Sequence, residues 1–275
     1  EVVMKVEKRI ISVNGMEAKL GIYLLENLES ADPNLKRPMV IICPGGGYNH
    51  VSEREAEPVA LKFMGMGFHA CVLDYHVGPE VVFPQALLEL AASVKEIREH
   101  AKEWKVDQNK IILCGFSAGG HLAGCLGMFW KEDWIREELG TTAQMIQPNG
   151  MILAYPVITS GEFAHKGSFE MLIGQTMEPA LMKKLSLEEQ VTENTPPVFL
   201  WHTYEDNTVP VENSLLLAMK LRQHNISLEM HIFPYGPHGI SLGDKETARM
   251  NCEKDIQPRC QCWPDMAGQW INGLK

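Results

Sequence analysis

Apolar and polar side chains alternate along Lys5–Ile11 and again along Glu17–Leu25, with Asn14-Gly15 between the two stretches. A period of two turns one face of each stretch toward a core. Asn-Gly readily takes the left-handed conformations of a tight turn, so the chain is expected to open with an antiparallel hairpin. Beyond a polar, proline-bearing loop (ESADPNLKRP) the pattern changes to recurring apolar runs: PMVIICP, HACVLDY, KIILCGF, GMILAYPV, PPVFLWHT and SLEMHIF. Runs of this length read as strands buried on both faces, while intervening segments such as Gln85–Trp104 and Asn213–His224 carry the helical period. The hairpin and the runs together predict an α/β protein with an eight-stranded, mainly parallel sheet and helices on both faces. Segment Ile158–Thr195 lacks this regularity and is expected to form a small cap-like insertion over a site. No repeat or linker divides the remainder, so residues 1–275 are expected to be a single domain.

A length of 275 residues at 45% hydrophobic composition suffices for one large core. The formal net charge of -10 disfavours nucleic acid and anionic membrane as partners, because like charges repel and no Lys/Arg patch is concentrated. A small neutral or cationic ligand is easier to accommodate. No window approaches the roughly 18 apolar residues of a membrane span, and the first residues lack a basic segment followed by an apolar one. The cysteine count, 7, is odd, and Cys43, Cys71, Cys114 and Cys125 fall in apolar segments where a free thiol behaves as a small hydrophobe. That usage points to the cytoplasm. Cys252 with Cys260-Gln-Cys262 lacks the paired spacing of a zinc site, and neither a metal nor another cofactor is expected.

In a parallel α/β sheet, ligands gather at the carboxyl ends of the strands, so the residues just after each run carry the functional reading. PMVIIC leads into Pro44-Gly45-Gly46-Gly47-Tyr48. Glycines let a backbone approach a ligand closely and aim its N–H groups at an anion, as an oxyanion hole requires; the Lys-Ser/Thr of a phosphate loop is missing. KIILC leads into Gly115-Phe116-Ser117-Ala118-Gly119, a complete G-x-S-x-G. Between a strand and a helix this pattern holds the serine in a strained turn with its Oγ presented at the helix N-terminus, and the Ala118 N–H is available to a developing oxyanion. His121, one helical turn on, is expected to pack or cap within that helix rather than serve as a base.

A nucleophilic serine needs a base within hydrogen-bond reach and an acid to orient the base. PPVFLWHT leads into Tyr204-Glu205-Asp206-Asn207-Thr208-Val209-Pro210, and SLEMHIF into Pro234-Tyr235-Gly236-Pro237-His238-Gly239. The order Ser117, Asp206, His238 is the Ser, acid, His order of α/β-hydrolases. His238 sits in a Gly/Pro loop with no packing role. Glu205 competes with Asp206 as the acid, His202 is read as a strand-end core histidine, and His50 is placed to line a cleft.

The segments PGGGY, SEREAEPVA, EWKVDQNKIILCGFSAGGHLA, AYPVIT, TPPVFLWHTYEDNTVPVENSL and HIFPYGPHG together resemble the bacterial acetyl-xylan-esterase-like branch of the α/β-hydrolases, from about Pro38 to His238. The resemblance implies the α/β-hydrolase fold, with Ser117 as nucleophile, Asp206 as acid and His238 as base. It further implies oxyanion donors at the N–H groups of Gly46, Gly47 and Ala118, and a small acylated carbohydrate as substrate. Tyr48, Asn49 and Phe116, with segment 158–195, are expected to wall the pocket, and a homodimer is the expected assembly. Pro44 departs from the His that precedes the glycines in many related esterases and lipases, which removes one support of the oxyanion loop. A prolyl-oligopeptidase-like peptidase or amidase shares the arrangement around Asp206 and His238, but no propeller or long N-terminal domain accompanies it here. A non-catalytic module on the same fold would need a broken triad.

Overall fold

A computed structural model of the protein describes residues 4–274. β1 (Lys5–Val13) and β2 (Met16–Leu24) form the hairpin, and Asn14 and Gly15 supply its left-handed turn at φ 54° and 75°. The apolar runs become β3 (Arg37–Cys43), β4 (His69–Asp74), β5 (Val106–Phe116), β6 (Gly150–Ala154), β7 (Val198–Thr203) and β8 (Leu228–Phe233). They join one 8-stranded sheet in the order β1-β2-β4-β3-β5-β6-β7-β8. β2 pairs antiparallel with β1 and β4, and every other pairing is parallel.

Helices α1 (Glu57–Gly65), α2 (Gln85–Glu99), α3 (Ala118–Phe129), α4 (Asp133–Glu138) and α5 (Ala143–Ile146) are followed by α6 (Lys166–Ile173), α7 (Pro179–Lys184), α8 (Glu212–Gln223) and α9 (Trp263–Gly273). Val59 and Phe63 of α1 and Trp263 and Ile271 of α9 cover one face of the sheet. Leu87 and Leu90 of α2, Leu122 and Leu126 of α3 and Leu217 of α8 cover the other. Strand alternation sorts β5 between the two: Ile111 and Leu113 enter the α2/α3 side, and Ile112, Cys114 and Phe116 the α1/α9 side.

Three expectations shift. The helix from Gln85 stops at Glu99 rather than Trp104, because the chain must reverse to enter β5; His100 stacks on Trp104 with ring centroids 4.7 Å apart, and Lys105 takes φ 55°. SLEMHIF is not buried on both faces: β8 is an edge strand with a sheet neighbour on one side only, and its residues are mostly half-buried. Segment 158–195 contains α6 and α7 and is more regular than its sequence indicates. After β3 the chain passes to β4 on one side, and β5 adds on the other, which makes the β3/β5 boundary a topological switch point. Cys43 is in register with Gly115, so the PGGGY and GFSAGG loops leave adjacent strand ends.

Candidate active site

Ser117 lies between β5 and α3 with φ 52° and ψ -118°, a conformation that non-glycine residues adopt only when their surroundings impose it. Its N–H donates to the Ala154 carbonyl at 3.0 Å, and its own carbonyl accepts from His121 and Val157 at 3.1 Å each, so the turn is pinned to β6 and to the helix. The flanking glycines are steric necessities. A Cβ at Gly115 would stand 2.3 Å from the Gly119 carbonyl oxygen, and one at Gly119 would stand 2.1 Å from that of Cys43.

From this turn a hydrogen-bonded chain runs inward. His238 Nε2 is 2.7 Å from Ser117 Oγ, and its Nδ1 is 2.6 Å from Asp206 Oδ2. Asp206 is 4% exposed, and its Oδ1 accepts the N–H groups of Thr208 and Val209 at 2.9 Å each. Burial alone would raise the Asp206 carboxyl, but the hydrogen bonds it accepts from His202 and His238 outweigh it and hold the group well below the usual carboxylate range. Glu205, its neighbour, is exposed.

His202 is fully buried, as a core histidine would be, yet it also touches the acid: its Nε2 is 3.2 Å from Asp206 Oδ2 and 2.9 Å from the Val209 carbonyl. Facing that carbonyl, Nε2 must carry hydrogen, and Nδ1 then accepts from the Ser214 hydroxyl at 2.7 Å. His121 packs inside the helix layer. Its Nε2 donates to the Leu185 carbonyl at 2.8 Å, its Nδ1 accepts from Tyr48 Oη at 3.0 Å, and burial lowers its pKa to about 4.

The glycine loop after β3 curls back on itself. Gly46 takes φ 127°, where a Cβ would strike the His50 carbonyl at 2.0 Å, and its own carbonyl accepts from Asn49 and His50. The N–H groups of Gly46 and Gly47 make no hydrogen bond among the described residues, and Ala118, first in α3, has an N–H with no intrahelical acceptor. Tyr75 Oη donates to the Pro44 carbonyl at 2.6 Å, and Glu55 accepts the Gly45 N–H at 2.8 Å, so side chains hold the start of the loop.

A cavity of about 460 Å³ opens over Ser117 and His238, lined by Gly46, Gly47, Asn49, His50 and, from segment 158–195, His165 and Met171. Asn49 takes the wall position expected of it, but Tyr48 and Phe116 do not. Tyr48, at φ 57°, turns its ring down onto His121 and is 2% exposed; Phe116 points to the α1/α9 side, packed on Tyr155 and Trp263. Strand parity was the signal for Phe116, since it follows Ile112 and Cys114 at a spacing of two. Arg54, Glu55 and Arg249 also line the cavity; the first two lie in the segment SEREAEPVA, but no role was read for any of the three or for His165. Burial, and then the charge of His238, lower the pKa of His165, with Asp206 opposing. Among the described residues no group of three or more His, Cys, Asp or Glu is arranged to hold a metal ion, and Cys252, Cys260 and Cys262 are free thiols.

A sheet of this order, with serine, acid and histidine after β5, β7 and β8 at one end of the sheet beside a switch point, defines an α/β-hydrolase. More narrowly, the chain belongs to the BD-FAE family, whose model matches residues 22–221. It is 37% identical over 217 residues to endo-1,4-beta-xylanase B of Butyrivibrio fibrisolvens, a match covering 78% of this chain and 34% of that protein. It is 27% identical over 210 residues to an acetylxylan esterase of Xylanibacter ruminicola, covering 74% of this chain and 41% of that protein. The chain thus spans 34% and 41% of the length of these two curated relatives. In fold it is similar to the crystal structure of an acetyl ester-xyloside bifunctional hydrolase from Caldicellulosiruptor lactoaceticus, with TM-score 0.80 and 35% identity over 95% of this chain and 89% of that one. The acetylxylan esterase and the bifunctional hydrolase among these are named for ester hydrolysis.

Proposed function

We propose that the chain hydrolyses esters through an acyl-enzyme on Ser117, removing short acyl groups, acetyl foremost, from carbohydrate such as acetylated xylo-oligosaccharides. The observation that carries the mechanism is the unbroken chain Ser117 Oγ, His238, Asp206, with contacts of 2.7 and 2.6 Å beneath an open cavity. The relatives named for acetylxylan and acetyl-xyloside chemistry support the substrate class.

His238 Nε2 takes the Ser117 proton as Oγ bonds to the ester carbonyl carbon, and the carbonyl oxygen becomes an oxyanion facing the N–H groups of Ala118 and of Gly46 or Gly47. Asp206 keeps the Nδ1–H tautomer and offsets the charge of the imidazolium. As the acyl C–O bond breaks, His238 gives its proton to the departing sugar oxygen, which leaves as a hydroxyl. Water, deprotonated by the same Nε2, then attacks the acyl carbon, and as the bond to Ser117 Oγ breaks the proton passes from Nε2 to Oγ, releasing the carboxylic acid and free Ser117.

Ser117→Ala is expected to lower kcat by about four to six orders of magnitude with an unchanged melting temperature. Retained esterase activity in that variant would refute the mechanism. For the substrate, acetate release from acetylated xylo-oligosaccharides should exceed that from simple alkyl acetates in kcat/KM, and equal values would refute the carbohydrate assignment.

A further inference from the structure

One buried carboxylate beside the site takes no part in these steps. Glu55 ends the short turn Glu53–Glu55 ahead of α1 and is 3% exposed. Its Oε2 accepts the Gly45 N–H at 2.8 Å, and its Oε1 accepts the Tyr155 hydroxyl at 2.7 Å. Tyr155 Oη in turn accepts the N–H of Ser241, just past His238, at 2.9 Å. The Tyr155 ring stands edge-on to the His238 imidazole, with centroids 5.1 Å apart and planes at 70°. The backbone beside Glu55 is tied to the same loop. Arg54 donates to the carbonyls of Gly239 and Thr247 at 3.0 and 2.7 Å, and the Ser241 hydroxyl donates to the Arg54 carbonyl at 2.7 Å.

We infer that Glu55 is a positioning residue that keeps the two moving parts of the reaction in register: the oxyanion loop through Gly45, and the His238 imidazole through Tyr155. The inference rests on the roles of Ser117 and His238 proposed above. A carboxylate is required because both neighbours are donors. Gly45 presents only N–H, and Tyr155 Oη already receives the Ser241 N–H, so its own hydrogen needs an acceptor. Burial, and then the charge of Glu55, hold the Tyr155 phenol well above its ordinary pKa, so that hydrogen is present. A carboxamide offers one oxygen and one NH₂, and in Glu55→Gln one of the two donors must face another donor in a buried site. Gly45 also leaves the carboxylate its space, since a Cβ there would stand 2.8 Å from Glu55 Oε2. The consequence passes to Gly46 and Gly47, the next residues, whose N–H groups matter most once charge has developed on the oxyanion.

The test counts active sites by stoichiometric phosphonylation of Ser117 and measures p-nitrophenyl acetate hydrolysis per titrated site. Glu55→Gln is expected to lower kcat by about 10- to 100-fold with KM within about twofold, less than the loss of an oxyanion donor because the donors are displaced and not removed. A boronic acid that forms a tetrahedral adduct on Ser117 should weaken by a similar factor, since it resembles the transition state and not the substrate. Tyr155→Phe cuts the His238 branch alone and is expected to cost about 3- to 10-fold in kcat. Unchanged kcat per titrated site in Glu55→Gln, or a loss confined to the fraction of titratable sites, overturns the inference and leaves Glu55 a folding role only. If Glu55→Gln yields no folded protein, Tyr155→Phe decides on the same criterion. Failure of the underlying mechanism is seen separately, as activity in Ser117→Ala or absence of phosphonylation in the unaltered protein.

Discussion

Asp206→Asn changes one atom of the site and should disable it. The two backbone donors at 2.9 Å, Thr208 and Val209, fix the asparagine carbonyl oxygen in the Oδ1 position. Its NH₂ must then occupy the Oδ2 position, 2.6 Å from His238 Nδ1 and 3.2 Å from His202 Nε2. His202 cannot adapt, because its Nε2 hydrogen is committed to the Val209 carbonyl and its Nδ1 to the Ser214 hydroxyl. His238 can adapt, by accepting from the new NH₂ at Nδ1 and carrying its hydrogen on Nε2. That tautomer faces Ser117 Oγ with a proton already in place, and the base is lost. The expected loss is about 10⁴-fold in kcat, or about 5.5 kcal/mol of transition-state stabilisation. The assay is kcat and kcat/KM for p-nitrophenyl acetate, with the rate of Ser117 phosphonylation as a second reading of nucleophilicity. Glu205→Gln serves as the control, because its side chain is exposed. A tenfold or smaller effect of Asp206→Asn, or an equal loss in Glu205→Gln, would refute the assignment of the acid.

The strand-to-helix turn makes a stability prediction. In Gly119→Ala the new Cβ would stand 2.1 and 2.3 Å from the Cys43 and Pro44 carbonyl oxygens, backbone atoms that cannot swing away, so a loss of about 3 kcal/mol or more is expected in chemical denaturation; an unchanged midpoint contradicts the close-approach account. His121 makes a pH prediction. Its folded pKa of about 4 lies below the unfolded value of roughly 6.5, so its contribution is complete above 6.5 and is lost as pH falls toward 4, by about 3 kcal/mol in all. His121→Gln, which can still accept from Tyr48 and donate to Leu185, should flatten the stability profile across that window, and an identical slope in both proteins would show that the loss arises elsewhere.

Local patterns were legible in the chain because their causes are local. Asn14-Gly15 has to turn left-handed whatever surrounds it, and alternation on either side then sets the hairpin register. Gly115 and Gly119 announce the turn at Ser117 because they are what that turn demands of its own neighbours. The loops bearing Asp206 and His238 could be placed at strand ends because apolar runs precede them. Side-chain direction at the edges of regular structure was less accessible. The positive φ at Tyr48 carries its ring under the loop to His121, and nothing in PGGGY specifies that.

Periodicity and steric demands within a few residues were enough to read the succession of strands and helices, the serine turn and the loops that carry an acid and a base. They left Glu205 beside Asp206 as a rival acid, which the family resemblance and not periodicity decided, and they could not tell that His202 shares the Asp206 carboxylate or that Glu55 spans the space between Gly45 and Tyr155; those contacts appear only in the folded chain. Such contacts join residues up to 100 positions apart, at the carboxyl ends of β3, β6, β7 and β8. Which of two adjacent side chains turns inward there is set by the pleat and by the donors already waiting in the interior. Neither is written in the composition of the loop itself.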